Sequence, residues 1–144
     1  IKENFEKNFF VGKKIMVDNI YTKENFYKDY ISFSGMRYHE FQFRPNFLIA
    51  MAVAPELFSK EKALIALCET EKYLLVENGM GVRTLDFEDK FYRGNYDNSN
   101  DSYDFFIAHG LNYHNGPEWV WPIGYYLIAK NHFNNFGNKE DLKR

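Results

Sequence analysis

The fold is decided by residues 46–75, which read NFLIAMAVAPELFSKEKALIALCETEKYLL. The first part of this stretch, residues 47–54, is apolar on every side. A helix with that pattern is buried on every side. Asn46 is a favoured N-cap residue and marks its start, and Pro55 marks its end because proline interrupts a helix. The stretch therefore predicts a buried helix that ends or kinks at Pro55.

The second part of the stretch begins at Ser59, another favoured N-cap residue. Its apolar residues fall on one helical face, with lysines elsewhere, and Gly79 and Gly81 follow as helix-stopping residues. That face comprises Leu64, Leu67, Cys68, Leu74 and Leu75. This pattern predicts an amphipathic outer helix in which Cys68 is a core residue rather than a nucleophile.

The flanking segments are less regular. Phe5 and Phe9 are four residues apart in a polar segment, which predicts a short amphipathic helix over residues 2–10. Residues 13–43 are aromatic and polar without a clean period, which is typical of a long structured loop with one or two short strands. Residues 82–112 form a second long loop, and such loops are usually functional.

A last helix is predicted from Gly116-Pro117 to about Asn135, with Pro117 at the favoured first position and Pro122 disturbing the second turn. We therefore expect helices near 46–57, 60–77 and 117–135, the first and third more buried than the second. Apolar inner helices and amphipathic outer ones predict an all-α fold, a partial α/α toroid with long irregular loops.

Such an arrangement places the N-terminal ends of the two inner helices at one mouth of the partial ring. Arg44 and Asn46 precede the first of these helices, and His114 and Glu118 precede the second. We therefore expect these four residues to lie close together.

Composition excludes several classes of function. The chain has 144 residues, a net charge of −2 and a single cysteine. This charge gives no excess of positive charge with which to bind nucleic acid or anionic lipid. No apolar run approaches the roughly 18 residues that are needed to span a bilayer. One cysteine allows neither an intramolecular disulfide nor a cysteine zinc site and fits a reducing, cytoplasmic compartment. The start at Ile1, without Met or a signal peptide, predicts a segment of a longer chain.

The densest chemical signal is NYHNGPEWVWPIGY at residues 112–125, which holds both tryptophans of the chain, Trp119 and Trp121. This combination of groups at the start of a helix suits the binding of a neutral polyhydroxylated ring. Aromatic faces can stack on the ring, and the His114 imidazole and Glu118 carboxylate can hydrogen-bond its hydroxyl groups. The alternative is a tightly packed turn in which the tryptophans are core and Glu118 satisfies the first N–H groups of the helix.

Two further clusters carry polar groups. In QFRPN at residues 42–46, Arg44 can hydrogen-bond a substrate hydroxyl or a catalytic carboxylate. The alternative is that Arg44 forms an internal ion pair between loops and that Asn46 is no more than a helix cap. RTLD at residues 83–86 ends in Asp86, one of the carboxylates that glycoside hydrolysis would require in pairs.

Metal and cofactor chemistry find no support in the sequence. The Asp- and Asn-rich segment 97–104 lacks the spacing of a calcium loop, and the four histidines lack zinc-protease spacing. Neither a GxSxG elbow nor a phosphate-binding glycine loop occurs. We expect no metal and no cofactor.

Several motifs resemble the C-terminal amylo-α-1,6-glucosidase domain of eukaryotic glycogen debranching enzymes. The resemblance runs from about Glu3 to Phe133 with the motifs in matching order. They are RPNF (44–47), IAMAVAPELF (49–58), GVRTLD (81–86), YDN (96–98) and YHNGPEWVWPIGY (113–125). Residues 12–43 and the tail 137–144 depart from the family pattern.

The resemblance implies a glucoamylase-like toroid of six helical hairpins that removes α-1,6-linked glucose from glycogen or limit dextrin with inversion. Intact family members also carry a 4-α-glucanotransferase domain, of which nothing is visible here. Residues 1–144 would then be a partial glucosidase domain with both flanks missing.

The family's general acid is an Asp upstream and its general base is a Glu in a downstream PELTN motif, and neither motif occurs in this sequence. The catalytic residues are therefore left unassigned, with Glu118 as a weak candidate. The residues predicted to bind substrate are Arg44, Asn46, Asp86, His114, Glu118, Trp119 and Trp121. The alternative hypothesis is a non-catalytic glycan-binding or interaction module that keeps the aromatic pocket.

Overall fold

A computed structural model describes residues 1–32 and 35–135. The helices are α1 (Lys2–Phe9), α2 (Phe47–Val53), α3 (Lys60–Tyr73), α4 (His109–Asn112) and α5 (Trp121–Asn135), with 3₁₀ helices at Arg37–Phe41 and Pro55–Leu57. The strands are β1 (Phe10–Val11), β2 (Met16–Val17), β3 (Ile20–Tyr21), β4 (Phe26–Tyr27), β5 (Val82–Arg83) and β6 (Glu118–Trp119). Helix α5 packs on both α2 and α3, and α3 also contacts β4.

The strands form three two-stranded antiparallel sheets, β1 with β4, β2 with β3, and β5 with β6. In the last sheet Val82 lies opposite Trp119 and Arg83 opposite Glu118. Strands β2 and β3 are joined by Asp18 and Asn19, whose φ angles of 50° and 61° are those of a tight hairpin turn.

The prediction of an all-α fold is therefore wrong, because the chain is a mixture of helices and small sheets. Each strand is two residues long, too short for its alternation to be visible in the sequence. The short strands expected within residues 13–43 are present as β2, β3 and β4.

The core contains a cluster of aromatic rings in edge-to-face and tilted contacts. The Tyr27 ring lies 4.8 Å from that of Phe58 and 6.1 Å from that of Phe47, between centroids. Beside them, the buried Glu6 carboxylate accepts hydrogen bonds of 2.7 Å from the Tyr27 hydroxyl and the Ser59 amide. Aromatic packing and one satisfied carboxylate thus tie α1 to the start of α3.

Four helices, α1, α2, α3 and α5, occur where the sequence predicts them, with different ends, whereas α4 lies in the segment predicted to be a loop. The first covers Phe47–Val53 and continues, after Ala54, as the 3₁₀ turn Pro55–Leu57, while α3 ends at Tyr73 rather than at residue 77. Helix α5 begins at Trp121 because residues 118 and 119 are held in β6. Pro122 therefore lies in the first turn, where a proline is tolerated, and does not disturb a second turn.

Three burial predictions are wrong. Helix α2 is not buried on every side, because its last residue, Val53, is 70% exposed. The inner face of α3 is formed by Ala63, Ala66, Leu67 and Thr70, so Cys68 is exposed and is not a core residue. Helix α5 is not buried all round. Together with Val120, the residue before it, helix α5 has an apolar surface that faces solvent. This surface comprises Val120, Trp121, Leu127 and Ile128.

The tail 137–144, which departs from the family pattern, lies outside the described residues. Among the helices of the described ranges, none has the length and apolar character needed to cross a membrane.

Candidate functional site

A cavity of about 360 Å³ lies where α2 and α5 begin, between segments that are far apart in the sequence. Volumes of about 300–1,000 Å³ are usual for ligand pockets. Five of the seven predicted substrate-binding residues line it, namely Arg44, Asn46, His114, Trp119 and Trp121. Asp29, Tyr30, Pro45, Thr84 and Tyr113 complete the lining. The prediction that Arg44 and Asn46 lie near His114 is confirmed.

The backbone around Gly116 fixes the part of the cavity that comes from the loop before α5. Gly116 has a φ of +144°, and a Cβ atom there would lie 2.7 Å from the Arg93 carbonyl oxygen. Its amide donates to Thr84 Oγ1 at 2.9 Å, and the Arg93 amide donates to the Asn115 carbonyl at 2.6 Å. Only glycine fits here, and the turn delivers His114 and Trp119 to the cavity.

Arg44 joins three segments of the chain. Its Nη1 donates to the carbonyl oxygens of Thr84, at 3.2 Å, and of His114. Its Nη2 donates to Gln42 Oε1 at 2.8 Å and to Asn115 Oδ1 at 3.3 Å. Burial lowers the pKa of this guanidinium, against the opposing effect of the Asp29 charge, and an arginine remains a cation in either case. Arg44 therefore holds the walls in place through four hydrogen bonds to neutral acceptors.

Asp29 supplies the one carboxylate among the described lining residues. Its Oδ2 accepts a 2.7 Å hydrogen bond from Asn46 Nδ2. The prediction that the Asn46 side chain caps α2 is therefore wrong, because that side chain makes no capping hydrogen bond. The Oδ1 atom is buried and has no hydrogen-bond partner among the described residues. Burial raises the pKa of Asp29, and the Asn46 amide, the Arg44 charge and the Phe47 N–H oppose this only in part.

Aromatic rings form part of the cavity lining. The Trp119 ring lies 4.6 Å from that of Tyr113 and 5.2 Å from that of Tyr96, between centroids. Trp119 Nε1 donates to the Tyr113 carbonyl at 3.2 Å, which fixes the indole. Trp121 is about half exposed at the first residue of α5. Both tryptophans of the chain therefore present rings at this cavity.

Glu118 and Asp86 do not line the cavity. Glu118 Oε1 accepts a 2.6 Å hydrogen bond from the Gly81 amide across the β5–β6 sheet, rather than from the first turn of α5. Asp86 is buried beside Lys23, with 3.4 Å between Oδ2 and Nζ, and its Oδ1 accepts from the Glu88 amide. Burial raises the pKa of Asp86 despite these partners. A role of Glu118 and Asp86 in substrate binding stays a prediction. Their positions outside the cavity lining do not favour it.

Sequence reasoning did not select Asp29, Tyr30, Thr84 or Tyr113 as site residues. Asp29 and Tyr30 fall in the segment without a clean period, where nothing separates them from other acidic and aromatic residues. The one signal was their pairing, a carboxylate next to a tyrosine, which also occurs at Tyr96-Asp97 and Tyr103-Asp104 outside this cavity.

The arrangement suits a neutral ligand with hydroxyl groups. Rings of Trp119 and Trp121 offer flat apolar faces, and the Asp29 carboxylate and Asn46 amide offer hydrogen-bonding groups. Within residues 1–32 and 35–135, no group of three or more His, Cys, Asp or Glu side chains is placed to hold a metal ion.

Comparison with known proteins agrees with this chemistry. The family model described as amylo-alpha-1,6-glucosidase matches residues 1–144. The glycogen debranching enzyme of Saccharomyces cerevisiae is 43% identical over 141 residues, an alignment that covers 92% of this chain and 9% of the yeast protein. With a family match over its whole length and a relative of this identity, the chain belongs to the amylo-alpha-1,6-glucosidase family of glycogen debranching enzymes.

Proposed function

We propose that residues 1–144 are part of the glucosidase domain of a cytoplasmic glycogen debranching enzyme. In this proposal the cavity holds a glucose residue at an α-1,6 branch point of glycogen or limit dextrin. The intact enzyme would hydrolyse that bond with inversion and would also carry 4-α-glucanotransferase activity. The single observation that carries the proposal is the set of aromatic and polar residues around one cavity in a member of this family.

The catalytic acid and base would lie outside this segment. Inverting hydrolysis needs two carboxylates, about 6.5 to 9.5 Å apart, one to protonate the leaving oxygen and one to activate water. Asp29 is the one carboxylate among the described residues that line the cavity. Its Oδ1 is buried and has no hydrogen-bond partner among the described residues, and in this proposal it accepts from a sugar hydroxyl after a small movement of the side chain. We assign Asp29 to binding.

The same observation favours a second candidate function. A cavity with one carboxylate can bind a sugar without cleaving it, so a non-catalytic glycan-binding module would have this geometry too. The two candidates differ in one respect, since only the first predicts glucose release once the flanking chain is present.

A titration of the 144-residue chain tests sugar binding. Because both tryptophans line the cavity, isomaltose should change the tryptophan fluorescence in a saturable way. Substitution Trp121→Ala should weaken binding about tenfold through loss of a stacking face. Substitution Val120→Ala, at the exposed neighbour that does not line the cavity, is the matched control. A fluorescence signal that does not saturate, or equal losses in both variants, would contradict the proposed site.

A hydrolysis assay tests where the catalytic pair lies. The 144-residue chain should release no glucose from glycogen limit dextrin, whereas a longer debranching enzyme that contains this segment should release it. Turnover by the segment itself would refute the assignment of acid and base to flanking chain. A full-length protein that binds limit dextrin but releases no glucose would favour the glycan-binding module.

A further inference from the structure

Asp89 is a buried carboxylate that lies outside the lining of the proposed glucose cavity. Its residue is only 9% exposed. Its Oδ2 accepts from the Tyr38 hydroxyl at 3.0 Å, and its Oδ1 accepts from the Phe91 amide at 2.8 Å and from Gln42 Nε2 at 3.4 Å. Tyr38 and Gln42 are 51 and 47 positions away along the chain, so more than a local turn holds this carboxylate.

The Gln42 side chain connects Asp89 to the proposed glucose cavity. Its Oε1 accepts a 2.8 Å hydrogen bond from Arg44 Nη2, while its Nε2 donates to Asp89. Arg44 lines the cavity, whereas Gln42 is 5% exposed and does not. Asp89, Gln42 and Arg44 therefore form a relay of hydrogen bonds from a buried carboxylate to the cavity wall.

The chemistry of the two ends of the relay fixes the orientation of the Gln42 amide. A guanidinium can only donate hydrogen bonds, and an ionised carboxylate can only accept them. The amide oxygen must therefore face Arg44, and the amide nitrogen must face Asp89. A reversed amide would place a donor against the guanidinium and an acceptor against the carboxylate, so both hydrogen bonds would be lost. Asp89 thus selects the orientation in which Gln42 holds Arg44 Nη2.

The charge of Asp89 also acts on Arg44. Burial lowers the pKa of the Arg44 guanidinium, and the charges of Asp29 and, next, of Asp89 oppose this effect. Asp29 lines the proposed glucose cavity, whereas Asp89 does not. Asp89 therefore stabilises the cation without taking up any of the space that is open to a ligand.

We propose that Asp89 is a positioning residue of the glucose cavity, which sets the place of the Arg44 guanidinium through Gln42 and does not touch the sugar. This inference rests on the proposed function, because it takes the cavity beside Arg44 as the site of a glucose residue. Loss of the relay would leave Arg44 Nη2 with Asn115 Oδ1, at 3.3 Å, as its remaining acceptor among the described residues. Sugar affinity should therefore depend on a residue outside the cavity.

Isomaltose titration of the 144-residue chain, followed by tryptophan fluorescence, tests the relay. Substitution Asp89→Ser keeps a hydroxyl that can accept from the Phe91 amide, but its shorter side chain does not reach Gln42. It should weaken isomaltose binding roughly threefold to tenfold, the scale of one hydrogen bond. Asp89→Asn keeps an oxygen for both the Phe91 amide and Gln42 Nε2, so it should restore most of the affinity that Asp89→Ser loses.

Tyr38→Phe is the matched control. Tyr38 is buried as Gln42 is and donates to the same carboxylate, but to Oδ2 rather than to Oδ1. This variant should lower the midpoint of thermal unfolding and leave the isomaltose affinity within about twofold of the wild type. Gln42→Met should instead weaken binding as Asp89→Ser does. A chain with both of these substitutions should bind no more weakly than either single variant, because each one breaks the same relay.

Each comparison has an outcome that contradicts the relay. Equal losses of affinity in the Tyr38→Phe and Asp89→Ser chains would mean that only the stability of this region matters. Wild-type affinity in an Asp89→Ser chain that is folded by circular dichroism would overturn the role of Asp89 and leave the glucose cavity intact. Additive losses from Asp89→Ser and Gln42→Met would also overturn it. Failure of isomaltose to bind the wild-type chain would overturn the proposed function, and the positioning role together with it.

Discussion

At the scale of single residues, Asp29, which we propose to bind sugar, also carries a cost in stability. Burial raises the pKa of its carboxyl above the ordinary value of 3.8. The folded chain therefore holds this proton more tightly than the unfolded chain does, and the free energy of unfolding falls as pH rises through the raised pKa. The raised pKa of Asp29 therefore makes the folded state less stable at neutral pH than at a pH below 3.8.

Substitution Asp29→Asn should therefore raise the free energy of unfolding at neutral pH and weaken sugar binding by about tenfold or more. The asparagine keeps an acceptor for Asn46 Nδ2 but loses the charge. Urea denaturation at several pH values checks the first effect, and the difference from wild type should shrink below pH 3.8. A variant that is less stable than wild type at neutral pH, or that binds isomaltose equally well, would contradict this assignment.

Glu118 gives a second prediction at this scale. Because its Oε1 accepts from the Gly81 amide, a glutamine can keep the same hydrogen bond. In a full-length debranching enzyme that contains this segment, Glu118→Gln should retain glucose release within about twofold. Complete loss of release with unchanged folding and substrate affinity would instead identify Glu118 as the catalytic base.

At the scale of elements, the turn before β6 depends on the positive φ of Gly116 and on its lack of a side chain. Gly116→Ala should lower the free energy of unfolding by about 1–3 kcal/mol, because the new methyl group meets the Arg93 carbonyl and φ is positive. It should also weaken sugar binding through displacement of Trp119. Gly110→Ala in α4 is the control, since a Cβ there meets nothing within 4 Å. Thermal unfolding of both variants, with only Gly116→Ala affected, is the expected result.

The elements that could be predicted are those with many residues in one period. Helix α3 shows a helical pattern over three turns, so its start at Lys60 was predictable, whereas its end depended on Leu75 bridging to Val82. The start of α5 was not predictable from Pro117, because the pairing of β5 with β6 holds Glu118 and Trp119 in an extended conformation. Long-range pairing overrode local preference.

The site divides in the same way. Its aromatic wall lies within one dense motif, and the sequence marks that motif by two scarce tryptophans. Asp29 reaches the cavity through its contact with Asn46, seventeen residues away, and no local pattern encodes such a contact. Glu118 is adjacent to Trp119 in sequence but points elsewhere, because neighbouring residues of a strand face opposite sides of a sheet.

At the scale of the whole molecule, the apolar surface of α5 determines how the isolated chain behaves. Leu127 and Ile128 are 56% and 54% exposed on that surface. The chain should therefore self-associate as its concentration rises. The double substitution Leu127→Lys and Ile128→Gln should keep it monomeric in analytical ultracentrifugation with the midpoint of thermal unfolding and isomaltose binding unchanged. A wild-type chain that stays monomeric at all concentrations would contradict this expectation.

The position of Arg44 at the meeting point of distant segments couples ligand affinity to folding. Its guanidinium bonds to carbonyl and amide groups up to 71 positions away along the chain, so the binding geometry exists only after these loops have closed. A sugar that recognises this geometry has no counterpart site in the unfolded ensemble. Binding of the sugar therefore raises the free energy of unfolding by mass action. The increase is about 1.4 kcal/mol when the free sugar concentration is ten times the Kd. Under the proposed function, a bound glucan would therefore stabilise the folded state of this segment.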